Sequence, residues 1–159
     1  MIFLKKILVT TDLSPFSLAA LEYAVSFGML YTSRIYLLHV HEGKEGHHGK
    51  DAGGGQNDED TRAALDEFIR MNVPAQTRLV AVVRRGNPVE EIKRFAQEEG
   101  IDLIVMASHG RTGLRHMVMG SVAERVVRLC SVPVLTVKPH PFREIMIQNE
   151  DVERDLHLR

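Results

Sequence analysis

Short, nearly continuous apolar runs alternate with stretches of helical period along most of the chain. Residues 7–11 form a β-branched run that ends in Thr10-Thr11-Asp12, and Ser14-Pro15 supplies a helix cap with proline in the first turn. The helix predicted over 15–31 carries its stripe on Leu18, Leu21, Val25 and Met29, thinned by Ala20, Ala24 and Gly28 where it would lie close to a sheet. Residues 34–40, RIYLLHV, form a second strand, continuous rather than alternating in its apolar character, as strands covered on both faces tend to be. The period then breaks. Residues 42–57 are rich in glycine and histidine, hold almost no large apolar residue, and predict a flexible insert that cannot offset its ordering entropy.

Helical period returns over 58–71 through Ala64, Leu65, Phe68 and Ile69, and a third strand follows at 77–83. Asn87-Pro88-Val89-Glu90 gives a cap, a first-turn proline and an N3 carboxylate to a helix carrying Val89, Ile92, Phe95 and Ala96, which Gly100 ends. A fourth strand at 103–107, a helix from Gly120 to Cys130 with a stripe of Val122, Val126 and Leu129, and a fifth strand at Val134 to Val137 complete the pattern. Five strands alternating with four helices predict an α/β fold, an open parallel sheet with helices on both faces. Residues 1–138 form one domain, and 139–159, with two prolines and Ile145-Met146-Ile147, form a tail. That tail docks on the body or a partner, or is disordered.

Composition narrows the function. The chain has 159 residues, 44% hydrophobic and 26% charged, with a formal charge of -1, which offers no general attraction for nucleic acid and suits a small ligand better. Its basic pairs lack interleaved aromatic residues, so no nucleic acid partner is expected. Lys5-Lys6 and Asp12 interrupt the first apolar residues, leaving neither a leader nor a membrane span, and the single Cys130 suits a reducing cytoplasm. The near-absence of charge in the fifth strand makes it an open edge, and pairing with a second copy into a homodimer would cover it.

The candidate chemistry lies in residues 102–121, DLIVMASHGRTGLRHMVMGS, read as strand, glycine loop and helix start. Glycines let backbone amides approach a ligand, and the first turn of a helix leaves amides unpaired, so the segment is a candidate phosphate site. Ser121-Val122-Ala123-Glu124 also fits a capping box, which would make Gly120-Ser121 a well-capped helix start; the two readings coexist. Ligands in such sheets sit beyond the carboxyl ends of the strands where strand order reverses, which would set Asp12 across a crevice from the glycine loop. The plainer reading of Asp12 is a turn residue that closes an Asx turn.

With Asp12 and the closing PVLTVK, the register MASHGRTGLRHMVMGSVAERV resembles the universal stress proteins, whose nucleotide-binding members carry Gly-x-x-Gly, nine residues, then Gly-Ser/Thr. The matching positions here are Ala107, Gly110, Gly120 and Ser121, so alanine stands where that pattern has its first glycine. The resemblance covers nearly all of 3–138. It implies a Rossmann-like sheet of order 3-2-1-4-5, a cytoplasmic homodimer paired through the last strand, and ATP or a related adenine nucleotide with Mg²⁺. It also implies that Thr10, Thr11 and Asp12 contact ribose or metal and that Val40 meets adenine through its backbone. Met106, Ala107, His109, Gly110, Gly120, Ser121 and Val122 would line the phosphate side, with Arg111 as an extra phosphate partner.

No Gly-x-x-x-x-Gly-Lys-Ser/Thr loop and no nucleophile triad is present, and His109 is the only base near the phosphates, so slow ATP turnover or none is expected. The histidines give no three zinc ligands of predictable geometry: His39 and His41 sit on a strand, His47-His48 in the insert. A stress-response regulator switched by nucleotide is the leading reading. The alternative is a protein-interaction module of the same fold with a degenerate pocket, and an adenylyl-transferring enzyme ranks last because its usual loops are missing after the first strand.

Overall fold

The computed structural model describes residues 3–42, 54–109 and 119–138, the side chains of 54–58 excepted. Strands β1 (Lys6–Thr11), β2 (Arg34–His41), β3 (Leu79–Arg85), β4 (Leu103–Ala107) and β5 (Val134–Val137) form one sheet of order β3-β2-β1-β4-β5. All neighbouring pairs are parallel. The order and class are those expected from the sequence. Helices α1 (Leu18–Tyr31), α2 (Gly54–Asn72), α3 (Pro88–Glu99) and α4 (Ser121–Leu129) supply the crossovers.

Strand periodicity sorts the core into two layers. Leu8, Tyr36, Leu38, Ile104 and Met106 point to one face and pack under α3 and α4, through Ile92, Phe95, Ala123 and Val126. Ile7, Val9, Ile35, Leu37 and Val105 point to the other and meet Ala20, Leu21, Ala24 and Val25 of α1 and Leu65 of α2. Because both faces are covered, β2 is buried from Ile35 through His39, which explains why its apolar residues run on rather than alternate.

Alanine and glycine let α1 lie tight on the sheet. Ala20 and Ala24 are fully buried, and a Cβ on Gly28 would sit 2.6 Å from Ile35 Cδ1. Asn87 caps α3 by accepting from the amides of Val89 and Glu90, and Gly100 ends it at φ +62°. β1 is clamped at its start, where Asp102 accepts from the backbone amides of Lys5 and Lys6 at 2.7 and 2.9 Å.

Several sequence expectations need correction. Met29 and Leu129 lie on exposed surface rather than on the buried stripes, at 62% and 51% exposure, and Ala123 takes the buried place on α4. Ala64 is exposed too, with Leu65 the buried residue of α2. The third strand runs two residues later than predicted, because β2 pairs with it from Ile35↔Leu79 to His41↔Arg85. Of the 42–57 insert, residues 43–53 lie outside the described residues, whereas 54–57 have helical backbone as the start of α2. Helix propagation is cooperative, so a first turn forms once the following turns are docked. The tail at 139–159 lies outside the described residues.

Candidate functional site

Strand pairing itself opens the crevice. The β1–β2 ladder runs on to Thr11↔His39 and the β4–β5 ladder to Ala107↔Val137, but the β1–β4 ladder ends at Val9↔Val105. Thr10 and Thr11 therefore diverge from Met106 and Ala107 at the one place where the chain winds outward in both directions, the switch point of the sheet. A cleft of about 570 Å³ fills that gap, within the range of small-ligand sites.

Its apolar floor is the α3/α4 layer of the core, with Leu38, Val40, Ile92, Met106 and Ala123 on its walls. Thr10, Thr11 and Asp12 border it on one side; Ala107, Ser108, His109, Gly120, Ser121 and Val122 border it on the other. Ten of the twelve residues expected from the sequence thus meet around one cleft, while Gly110 and Arg111 lie outside the described residues.

The acidic turn is held by side chains. Thr11 Oγ1 accepts from the Leu13 amide at 2.9 Å and lies 2.8 Å from Ser17 Oγ, which supports Leu13 at φ +62°. Asp12 Oδ1 accepts from the Ser14 amide at 3.0 Å, an Asx turn, and also from the Ser14 hydroxyl. Ser14 is the cap residue of the 3-10 turn Pro15–Ser17 that precedes α1, but its hydroxyl serves Asp12 and gives no side-chain cap. Buried His39 adds a further tie, its Nδ1 lying 2.9 Å from the Thr11 carbonyl. A carbonyl only accepts, so Nδ1 carries the proton.

Across the cleft, the start of α4 corrects the capping-box reading. Gly120, not Ser121, is the cap residue, and among the described residues no side-chain hydrogen bond caps the helix. Gly120 donates its own amide to the Ser108 carbonyl at 2.7 Å. The intrahelical ladder starts with Glu124 donating to Gly120, so the amides of Ser121, Val122 and Ala123 have no intrahelical acceptor and lie at the positive end of the helix dipole. Ser108 fixes the other lip: its amide donates to Val137 at 2.8 Å and its hydroxyl lies 2.9 Å from His109 Nδ1.

Ala107 ends β4 in register with Val137, and its φ is not positive. The methyl group at this position therefore carries no backbone strain. Among the described residues, no group of three or more His, Cys, Asp or Glu side chains is placed to hold a metal ion.

The sequence reading missed part of the lining. Pro88 and Ile92 reach the cleft because α3 packs back over β2. The first-turn proline marked that helix start, but nothing in the local pattern said which strand it would cover. A second, shallower cleft of about 370 Å³ adjoins the first, sharing Glu42, Pro88, Ser121 and Val122 with it and adding Asn87 and Arg125.

Comparison with known proteins follows the same outline. The model of the universal stress protein family matches residues 4–138. The chain is 31% identical over 153 residues to universal stress protein MJ0577 of Methanocaldococcus jannaschii, a match covering 84% of this chain and 94% of that one. It is 33% identical over 140 residues to universal stress protein MJ0531 of the same organism, covering 84% and 82%. The solved structure of MJ0577 superposes with a TM-score of 0.73 over 87% of this chain and 99% of that one, at 31% identity. The fold also matches a universal stress protein solved in complex with cAMP (TM-score 0.67, 22% identity, 86% and 98% covered). A third solved structure, the universal stress protein of Archaeoglobus fulgidus in complex with dAMP, matches with a TM-score of 0.62 at 21% identity over 87% and 100% of the two chains. With the ordered sheet, the switch-point cleft and these matches in agreement, the chain belongs to the universal stress protein family.

Proposed function

We propose that the protein binds ATP or a related adenine nucleotide in the switch-point cleft and acts as a nucleotide-dependent switch in a stress response. The observation that carries this reading is the early end of the β1–β4 ladder, which sets a threonine-rich acidic turn opposite an uncapped helix start across an apolar floor. The cAMP and dAMP held by two fold neighbours support the ligand class.

In this reading the adenine ring lies on Val40, Leu38 and Ile92, using the backbone of Val40 at the end of β2. Thr10, Thr11 and Asp12 serve the ribose. The phosphates take the amides of Ser121 and Val122, with Met106, Ala107 and His109 beside them and Gly110 and Arg111 as further phosphate partners. The donor set suits Mg²⁺ held through the phosphates, because Asp12 is the one carboxylate of the acidic turn and Mg²⁺ needs few protein ligands when phosphate supplies the rest. That ion would supply charge neutralisation.

Turnover is slow or absent on this account. Among the described residues His109 is the base at the phosphate end, and its Nδ1 is engaged with the Ser108 hydroxyl. The protein works in the cytoplasm as a homodimer, with β5 as the edge that pairs. Among the described residues, the four-residue β5 pairs in the sheet with β4 alone, and its other edge is the one a second copy would pair with.

Calorimetric titration with MgATP, together with mass analysis of any nucleotide carried through purification, tests the reading. Saturable binding at micromolar to low millimolar concentration is expected. An empty cleft with no heat at millimolar MgATP would instead favour an interaction module with a degenerate pocket.

A further inference from the structure

Helix α1 is built unlike its neighbours. It has 14 residues, LAALEYAVSFGMLY, of which Glu22 alone is charged. Helix α3, by contrast, carries Glu90, Glu91, Lys93, Arg94, Glu98 and Glu99. The inner face of α1 is accounted for by the sheet, yet its outer face is also apolar. Tyr23, Met29, Leu30 and Tyr31 are 45%, 62%, 73% and 48% exposed. Phe27 continues the stripe one turn after Tyr23, with ring centroids 6.3 Å apart. A helix apolar all round belongs inside a protein, and a contiguous apolar patch of this kind marks a contact surface.

We propose that the occupant is the chain's own C-terminal segment, residues 139–159, which folds back along the outer face of α1. The segment departs from the right place. β5 ends at Val137, which packs in the same core layer as Ala20, Leu21 and Ala24, and α1 starts at the same rim of the sheet. The lengths agree as well. α1 extends about 21 Å away from that rim at 1.5 Å per residue, with Tyr23 roughly 8 Å along and Leu30 roughly 18 Å along. An extended chain reaches about 14 Å by Phe142 and about 23–30 Å by Ile145 to Ile147. The first apolar residue of the segment thus reaches the Tyr23–Phe27 pair, and the Ile145-Met146-Ile147 run reaches Leu30 and Tyr31.

Composition selects this segment over the insert. Residues 43–53, GKEGHHGKDAG, contain no large apolar side chain, whereas 139–159 contain Phe142, Ile145, Met146 and Ile147. The family match ends at residue 138, so the segment is an addition to the shared domain, as a cover specific to this chain would be. The inference does not depend on what fills the cleft.

Limited trypsin digestion of the full chain, read by mass spectrometry at the Arg143 site and paired with light scattering, tests it. Leu30→Glu changes an exposed residue of α1, and Ile145→Asp changes the segment itself. Each is expected to raise the cleavage rate after Arg143 at least tenfold, with the molecular mass unchanged from wild type. Equal rates in wild type and Ile145→Asp would overturn the proposal. So would a fall in molecular mass in Leu30→Glu, which would assign the patch to a second copy of the chain.

Discussion

Replacing Gly28 by alanine pits helix propensity against packing. Propensity alone makes the change stabilising, by about 0.5–1 kcal/mol for a helix interior. The structure reverses the sign. The added Cβ would stand 2.6 Å from Ile35 Cδ1 and 3.1 Å from Cγ1, and Ile35 is fully buried, so its side chain cannot swing into solvent. Overpacking of this kind costs about 1–3 kcal/mol. The net expectation is a loss of about 1 kcal/mol, or roughly 2–4 °C in Tm for a chain of this size. Ile35→Val removes the nearer atom at its own cost of about 0.5–1.5 kcal/mol. The double variant should therefore lose about 1 kcal/mol less than the sum of the two singles. Urea unfolding of the four proteins measures the cycle. If Gly28→Ala raises the midpoint and the two changes simply add, the close seating of α1 on β2 is wrong, and with it the placement of the Thr11–Ser17 turn.

Other changes probe other joints. Asp102→Ala strips the acceptor from the Lys5 and Lys6 amides and should cost about 2 kcal/mol, read as a lower urea midpoint. Ala107→Gly relieves no backbone strain, since the residue is already extended, so calorimetry should show MgATP affinity equal to or tighter than wild type; weaker binding would mean that the methyl group makes a useful contact. Burial, helped by Glu90 and opposed by Lys93, pushes the Cys130 thiol above its ordinary range. Its alkylation rate should therefore keep rising at alkaline pH beyond the midpoint of a free thiol. The folded state holds the thiol proton more tightly than the unfolded chain, so this group's stabilising contribution is full below the unfolded pKa and is lost as pH rises through the folded one. Cys130→Ser should flatten that alkaline decline in Tm.

Much of the fold was legible because both strand and helix signals were strong and punctuated. Asn87-Pro88 and Gly100 bound α3 where the letters place it, and the apolar character of β2, continuous rather than alternating, reports a strand covered on both faces. Met29 and Leu129 misled because spacing identifies a face, but not how far along the helix the sheet continues beneath it. The capping box at Ser121 misled for a different reason. Gly120 can cap by backbone geometry alone, and its bond to Ser108 depends on a strand end that local sequence does not place. The cleft residues on β1 and β4 were readable from motif and topology together, whereas Pro88 and Ile92 required knowledge of where α3 crosses.

The central claim is that the gap between the ends of β1 and β4 holds an adenine nucleotide. A crystal structure grown with Mg²⁺ and ATP tests it most directly. The account predicts adenine beside Val40 and phosphate oxygens within hydrogen-bond distance of the Ser121 and Val122 amides. A nucleotide seated only in the neighbouring cleft by Asn87 and Arg125, or a switch-point cleft empty at saturating MgATP, would contradict it.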